Sequence, residues 1–243
     1  MPVIPPIPYS EIRGALNTGD LFFFHGTSSA AVLIENLEEA VGWPPYSHVG
    51  MVIKDGEDLY LWDAPGNGGK RFPDPYASDP DNRIHGKPVH DGCRVAALDE
   101  ILGYYATLVD QPFTLRQLAP VASQDRFVAL RRFINRVDGQ PFPLGPGPRK
   151  YKELTGLMTN YAAGQEGASL HYGTYFCAQL AADSYMHMGL LAMEKYPPNG
   201  YSPAALGTDA GVGRLPLVNV TLGAATPVEW DAQHGGGQPP PPD

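Results

Sequence analysis

The 243-residue chain has only two cysteines, Cys93 and Cys177. Two thiols cannot build the disulfide framework that staples small secreted folds, so stability has to come from apolar burial. Cations are scarce too: 17 Lys and Arg stand against 26 Asp and Glu, for a formal charge of −9. Such a chain lacks the cationic face that sequence-independent nucleic-acid binding needs, so no nucleic-acid partner is expected. No window approaches the run of about 18 apolar residues that spans a membrane as a helix. The start, "MPVIPPIPYSEIRG", has no basic segment followed by an apolar run, so it does not read as a secretory signal. A cytoplasmic location is the expectation, with export by a route lacking a cleaved signal left open. No G-x-S-x-G elbow is present, since "GYSPA" lacks the last glycine, which argues against an α/β-hydrolase. Metal-ligand spacing is also missing. His85 and His90 share one loop-like stretch and His187 stands alone on a helix, so solvated histidines are expected and no cofactor is called for.

What is abundant points to a packed globule. Hydrophobic residues make up 43% of the chain and aromatic residues 10%, well above what a disordered chain carries. The 28 glycines and 26 prolines imply many turns. One domain over residues 1–225 is expected, followed by a Gly/Pro-rich disordered tail over 226–243. No internal repeat is seen.

Hydrophobic periodicity sets the elements. "YSEIRGALN" predicts a short helix capped by Ser10, and the apolar run Leu21 to Phe24 predicts a buried strand. "SSAAVLIENLEEAVG" predicts a helix capped by Ser28 or Ser29 and ended by Gly42. In "SHVGMVIKDGEDLYLWDAP" two β-rich runs flank an Asp-Gly turn, the pattern of a hairpin. Its period of two puts His48, Gly50 and Val52 on one face of the first strand. Leu59, Leu61 and Asp63 share one face of the second. The two strand ends, His48 and Asp63, should therefore face each other. Residues 64–92 read as a long loop. "CRVAALDEILGYY" reads as a strand and then a helix capped by Asp99. "SQDRFVALRRFINRVDG" is an amphipathic helix with Phe127, Leu130, Phe133, Ile134 and Val137 as its apolar stripe. "PFPLGPGPRK" reads as a rigid loop, "YKELTGLMTNYAAG" as a helix, and "LPLVNVTLG" as a late strand. The segment around Cys177 predicts a helix from about Phe176 to Met188.

Cys177 would then stand where a helix begins. The unpaired N–H groups there carry partial positive charge, which favours a thiolate over a thiol. A carboxylate that accepts from one imidazole nitrogen orients the ring, so that the other nitrogen can face the thiol. The first N–H groups of the helix can also donate to an oxyanion. A cysteine among Ala, Leu and Phe equally suits a core position, and Asp63 could simply solvate a hairpin end.

Order and local context favour the chemical reading. "GDLFFF", "YSHVGMVI", "LYLWDAP" and "YFCAQLAADSY" occur in that sequence, followed by "MGLL" and "PPNGYSPAAL". Together they resemble the circularly permuted NlpC-type branch of the papain-like cysteine hydrolases, the YiiX-like group, over roughly residues 18–206. The resemblance implies Cys177 as nucleophile, His48 as general base and acid, and Asp63 as the residue that orients His48. It implies an α+β fold, an antiparallel sheet carrying His48 and Asp63 and packed against helices that include the Cys177 helix. It further implies acyl transfer through a thioester, most simply as an amidase or peptidase, with a peptide, amide or acyl-lipid substrate. The chain departs from the group at Asp63, where Glu is usual, and at Ala178-Gln179, where Ser-Glu is common.

Two other classes remain open at this level. "FFFHGTSS" with "YGTYFCAQLAADSY" resembles the His and Tyr elements of poly-ADP-ribosyltransferases, which would make His25 and Tyr175 ligands of a nicotinamide dinucleotide. The two stretches lie far apart in this chain, which counts against that reading. A papain-fold relic that only binds a partner is the third possibility, with "QPPPPD" as a polyproline ligand.

Overall fold

The computed structural model describes residues 5–66, 83–84, 87–88, 92–142, 175–192, 197–208 and 215–231. The predicted helix "YKELTGLMTNYAAG", most of the 64–92 and "PFPLGPGPRK" loops, and His85 and His90 lie outside the described residues.

The buried run Leu21–Phe24 forms β2, and the predicted hairpin forms β3 (His48–Asp55) and β4 (Asp58–Asp63), turning at Gly56 with φ +64°. Around them a seven-stranded sheet runs in the order β1-β11-β8-β2-β3-β4-β7. Its other members are β1 (Ile7–Pro8), β7 (Arg94–Ala97), β8 (Phe113–Arg116) and β11 (Thr226–Glu229). Two two-stranded sheets stand apart from it: β5 (Arg83–Ile84) with β6 (Lys87–Pro88), and β9 (Leu118–Ala119) with β10 (Thr221–Leu222). The fold is α+β, as expected. The main sheet is antiparallel except for its edge, where β1 pairs parallel with β11, so it is mixed.

Period-two alternation splits the core into two. Val49, Met51, Ile53 and Trp62 point to one face, where helices α4 (Gln124–Val137) and α5 (Cys177–His187) pack. Phe22, Phe24, Val52 and Leu61 point to the other, which is closed by α1 (Tyr9–Ile12) and α3 (Leu98–Leu108). The α4 stripe buries Leu130, Phe133, Ile134 and Val137, with Phe127 packed beside them. In α2 (Ser29–Ala40), the Ser28 hydroxyl accepts from Ala31 N–H at 3.1 Å, and Gly42 follows the helix end with φ +77°. A short helix, α6 (Pro203–Gly207), is capped by Ser202.

Several expectations shift. Pro8, not Ser10, precedes α1, because proline fixes the extended backbone a helix start needs. Ser10 instead bonds Asp231 through both its N–H and its hydroxyl. Asp99 lies inside the first turn of α3, not at its cap. There it accepts from the Tyr9 hydroxyl at 2.5 Å and from the Arg13 guanidinium. The boundary between domain and tail at 226 falls too early. Thr226–Glu229 are a strand of the main sheet and Trp230 stacks on Tyr9 with centroids 5.4 Å apart. The composition of the Gly/Pro stretch beyond hid this short strand. The late strand predicted over "LPLVNVTLG" shrinks to Thr221–Leu222 and a single bridge at Leu217.

Candidate active site

His48 opens β3 and Asp63 closes β4, so the hairpin brings both to one end of the sheet. Extending the register Met51↔Trp62 by one step sets Gly50, not His48, across from Asp63. The two side chains are therefore diagonal neighbours on one face, which long polar side chains can bridge. Gly50 between them leaves room for Leu61, since a Cβ there would sit 2.6 Å from Leu61 Cγ. His48 Nε2 lies 3.0 Å from Asp63 Oδ2.

Asp63 is fully buried, and an unpaired carboxylate in that setting is costly. Arg94 resolves it. β4 and β7 pair with Asp63 directly across from Arg94, whose Nε donates to Oδ1 at 2.9 Å and Nη2 to Oδ2 at 3.4 Å. Burial pushes the Asp63 carboxyl up, but Arg94 and then His48 outweigh it and hold it below the ordinary carboxylate range. An ionised Asp63 only accepts, so the His48 proton sits on Nε2 and leaves Nδ1 for another partner.

Arg94 is placed by the bend before it. Gly92 has φ +124°, and a Cβ there would be 2.1 Å from the Gln140 carbonyl oxygen. Cys93 N–H donates to that same carbonyl at 2.8 Å, which locks the start of β7. Cys93 itself is fully buried, and burial pushes its thiol well up.

Cys177 is the first residue of α5, and Phe176 precedes it without a side-chain cap. The first intrahelical bond runs from Leu180 N–H to Phe176 O at 2.9 Å. The N–H groups of Cys177, Ala178 and Gln179 thus have no acceptor within the helix. Every residue from Cys177 to Met186 is buried, so the helix is fixed on all sides. Trp62 Nε1–H donates to Ser184 Oγ at 3.0 Å, and the Ser184 hydroxyl donates to Leu180 O at 2.7 Å. The Tyr175 hydroxyl donates to Asp183 Oδ2 at 2.8 Å, tying the residues before Cys177 to the next turns.

The helix packs on the sheet face opposite His48. Cys177 is nonetheless near enough to act on the imidazole, through its charge and a side-chain hydrogen bond. Burial works against a charged His48 ring, but Tyr105, Cys177 and the Asp63 hydrogen bond outweigh it and raise its pKa well above the ordinary histidine value. His48 is 8% exposed and Cys177 7%, so both sit just under the surface. Of the three residues singled out in the sequence, His48 and Asp63 are in direct contact, and Cys177 acts on the His48 ring. Arg94 was not singled out. Its signal was a lone cation inside the apolar strand "CRVAA", which requires a buried acid nearby.

The other candidates have separate partners. His25 Nδ1 lies 3.6 Å from Glu35 Oε1 and its ring stands beside Tyr46, whereas Tyr175 binds Asp183 and packs on Phe133. The geometry does not gather His25 and Tyr175 on a common set of contacts. His187 is exposed, as expected, and also has protein partners: Nδ1 bonds the Asp183 carbonyl at 2.9 Å, Nε2 accepts from Arg136, and the ring stacks on Phe133. Among the described residues no three His, Cys, Asp or Glu converge as a metal site.

No family model matches the chain, and no curated protein does. Among solved structures, the crystal structure of metalloprotein YiiX from Escherichia coli O157:H7 aligns with it at 14% identity and a TM-score of 0.43. The alignment covers 88% of this chain and 98% of that one. Among the described residues no helix is long and apolar enough to cross a membrane.

Proposed function

We propose that the protein is a thiol-dependent hydrolase that works by acyl transfer, with an amide or peptide as substrate and an acyl lipid as the alternative. One observation carries this reading: a single imidazole held at Nε2 by a buried, Arg94-clamped carboxylate, with Cys177 beside it at an uncapped helix start.

The chemistry follows from the roles. His48 Nδ1 takes the Cys177 proton, and the thiolate attacks the acyl carbon. The oxygen gains the displaced electron pair, and the free N–H groups at the start of α5 donate to it. The imidazolium returns its proton to the leaving amine or alcohol as the bond to it breaks, which leaves a thioester on Cys177. Water, deprotonated by His48, then attacks the thioester and frees the acid and the thiol. Asp63 stays ionised throughout and holds the ring in the productive tautomer.

The papain-like resemblance of the four motifs supports the same assignment. Amides and esters share the acyl carbon, so a substrate survey with aryl amides, short peptides and acyl esters covers both arms. The test is turnover together with the intact mass of the protein quenched during turnover. The reading expects an acyl adduct on Cys177 and loss of both adduct and turnover in Cys177→Ala. Full turnover by the folded Cys177→Ala protein overturns it.

A further inference from the structure

We propose that Tyr105 is a positioning residue for His48: its ring runs parallel to the imidazole and helps set the plane of the His48 ring. The inference rests on the thiol-hydrolase reading and adds a residue to that site.

His48 is held at one nitrogen by Asp63. A single hydrogen bond fixes that atom but leaves the ring free to turn about the bond. Tyr105, from the last turns of α3, removes this freedom. Its ring is stacked on His48 at a centroid distance of 6.1 Å and an interplanar angle of 8°. Phe24, directly across from His48 on β2, touches both rings at 5.5 Å and 4.7 Å. The three rings form a corner, with Phe24 tilted 45° to the imidazole, so a rotation of His48 would drive it into one of its neighbours. Tyr104 and Phe113 back the corner from behind.

The face of an aromatic ring also attracts a cation at about this separation. Burial pushes the Tyr105 phenol up, so it is neutral at ordinary pH. The contribution to the site is carried by the ring, and phenylalanine would supply it equally.

The experiment is alkylation of Cys177 by iodoacetamide as a function of pH, read by peptide mass, in the native protein, His48→Ala, Tyr105→Phe, Tyr105→Leu and Tyr105→Met. Cys93 is fully buried, and its silence reports an intact fold in each variant. The expected result is a native profile in Tyr105→Phe and a rate about fivefold lower near pH 6 in the two ring-less variants. Native profiles in Leu and Met overturn the inference while leaving the Cys–His pair in place. Indifference to His48→Ala removes the enzyme reading itself. Exposure of Cys93 in both ring-less variants makes Tyr105 a folding residue, and that too overturns the positioning role.

Discussion

The Arg94 guanidinium donates to Asp63 Oδ1 at 2.9 Å across a ladder position where the two residues face each other directly. Both are buried, so neither charge has water as a substitute partner. Removing the cation strands a buried carboxylate, and the cost of that is about 3–5 kcal/mol. Arg94→Met should lower the urea midpoint by a corresponding amount. The sign with pH is fixed as well. Asp63 is held below its ordinary value, so its contribution is present at neutral pH and is lost as pH falls through the depressed value. Arg94→Met should therefore flatten the acid-side loss of stability. Native stability in this variant would show that Asp63 is not ionised in the fold.

Ser184 joins the nucleophile helix to the sheet. It accepts from the Trp62 indole at 3.0 Å while donating to Leu180 O, and both side chains are fully buried. Ser184→Ala leaves a buried indole N–H without an acceptor, which costs about 1–3 kcal/mol. Trp62→Phe in the same background removes the orphaned donor. Equilibrium unfolding of the two singles and the double should give a coupling well below additivity. Additive losses would mean that the bond contributes nothing.

Glu38 ties α2 to the segment leading into β3. Its carboxylate accepts from Tyr46 N–H at 3.1 Å and from Ala204 N–H at 2.9 Å. Burial nevertheless pushes it up, against these donors and the Ser202 hydroxyl, to about 8 from 4.5. Over that window the native state keeps a proton that the unfolded chain has released, so stability falls as pH rises through it. Glu38→Gln removes this titration. Urea midpoints at about pH 5 and about pH 8 should differ less in the variant than in the native protein. Equal differences would place the titration elsewhere.

Local patterns carried much of the fold in the sequence. The Asp-Gly turn fixed the β3–β4 hairpin, and period-two alternation put His48 and Asp63 on one face. The α4 stripe and the start of α5 at Cys177 followed from helical spacing. What alternation could not supply was register. Asp63 lies across from Gly50, so the His48–Asp63 contact is diagonal. Long-range pairing was hidden too. Arg94 reaches Asp63 only because β7 joins the far side of β4, and Tyr105 reaches His48 only because α3 folds back over that face. Thr226–Glu229 pair with residues from the opposite end of the chain, and nothing within four residues can announce that.

The central claim is that Cys177 and His48 act as one pair. The measurement that tests it most directly is the pH dependence of Cys177 alkylation, with Cys93 as internal reference, in the native protein and in His48→Ala. The account predicts fast modification of Cys177 well below pH 8, a silent Cys93, and loss of the low-pH reactivity when His48 is removed. Slow modification with the profile of an ordinary thiol, unchanged by His48→Ala, would contradict it and return Cys177 to the core.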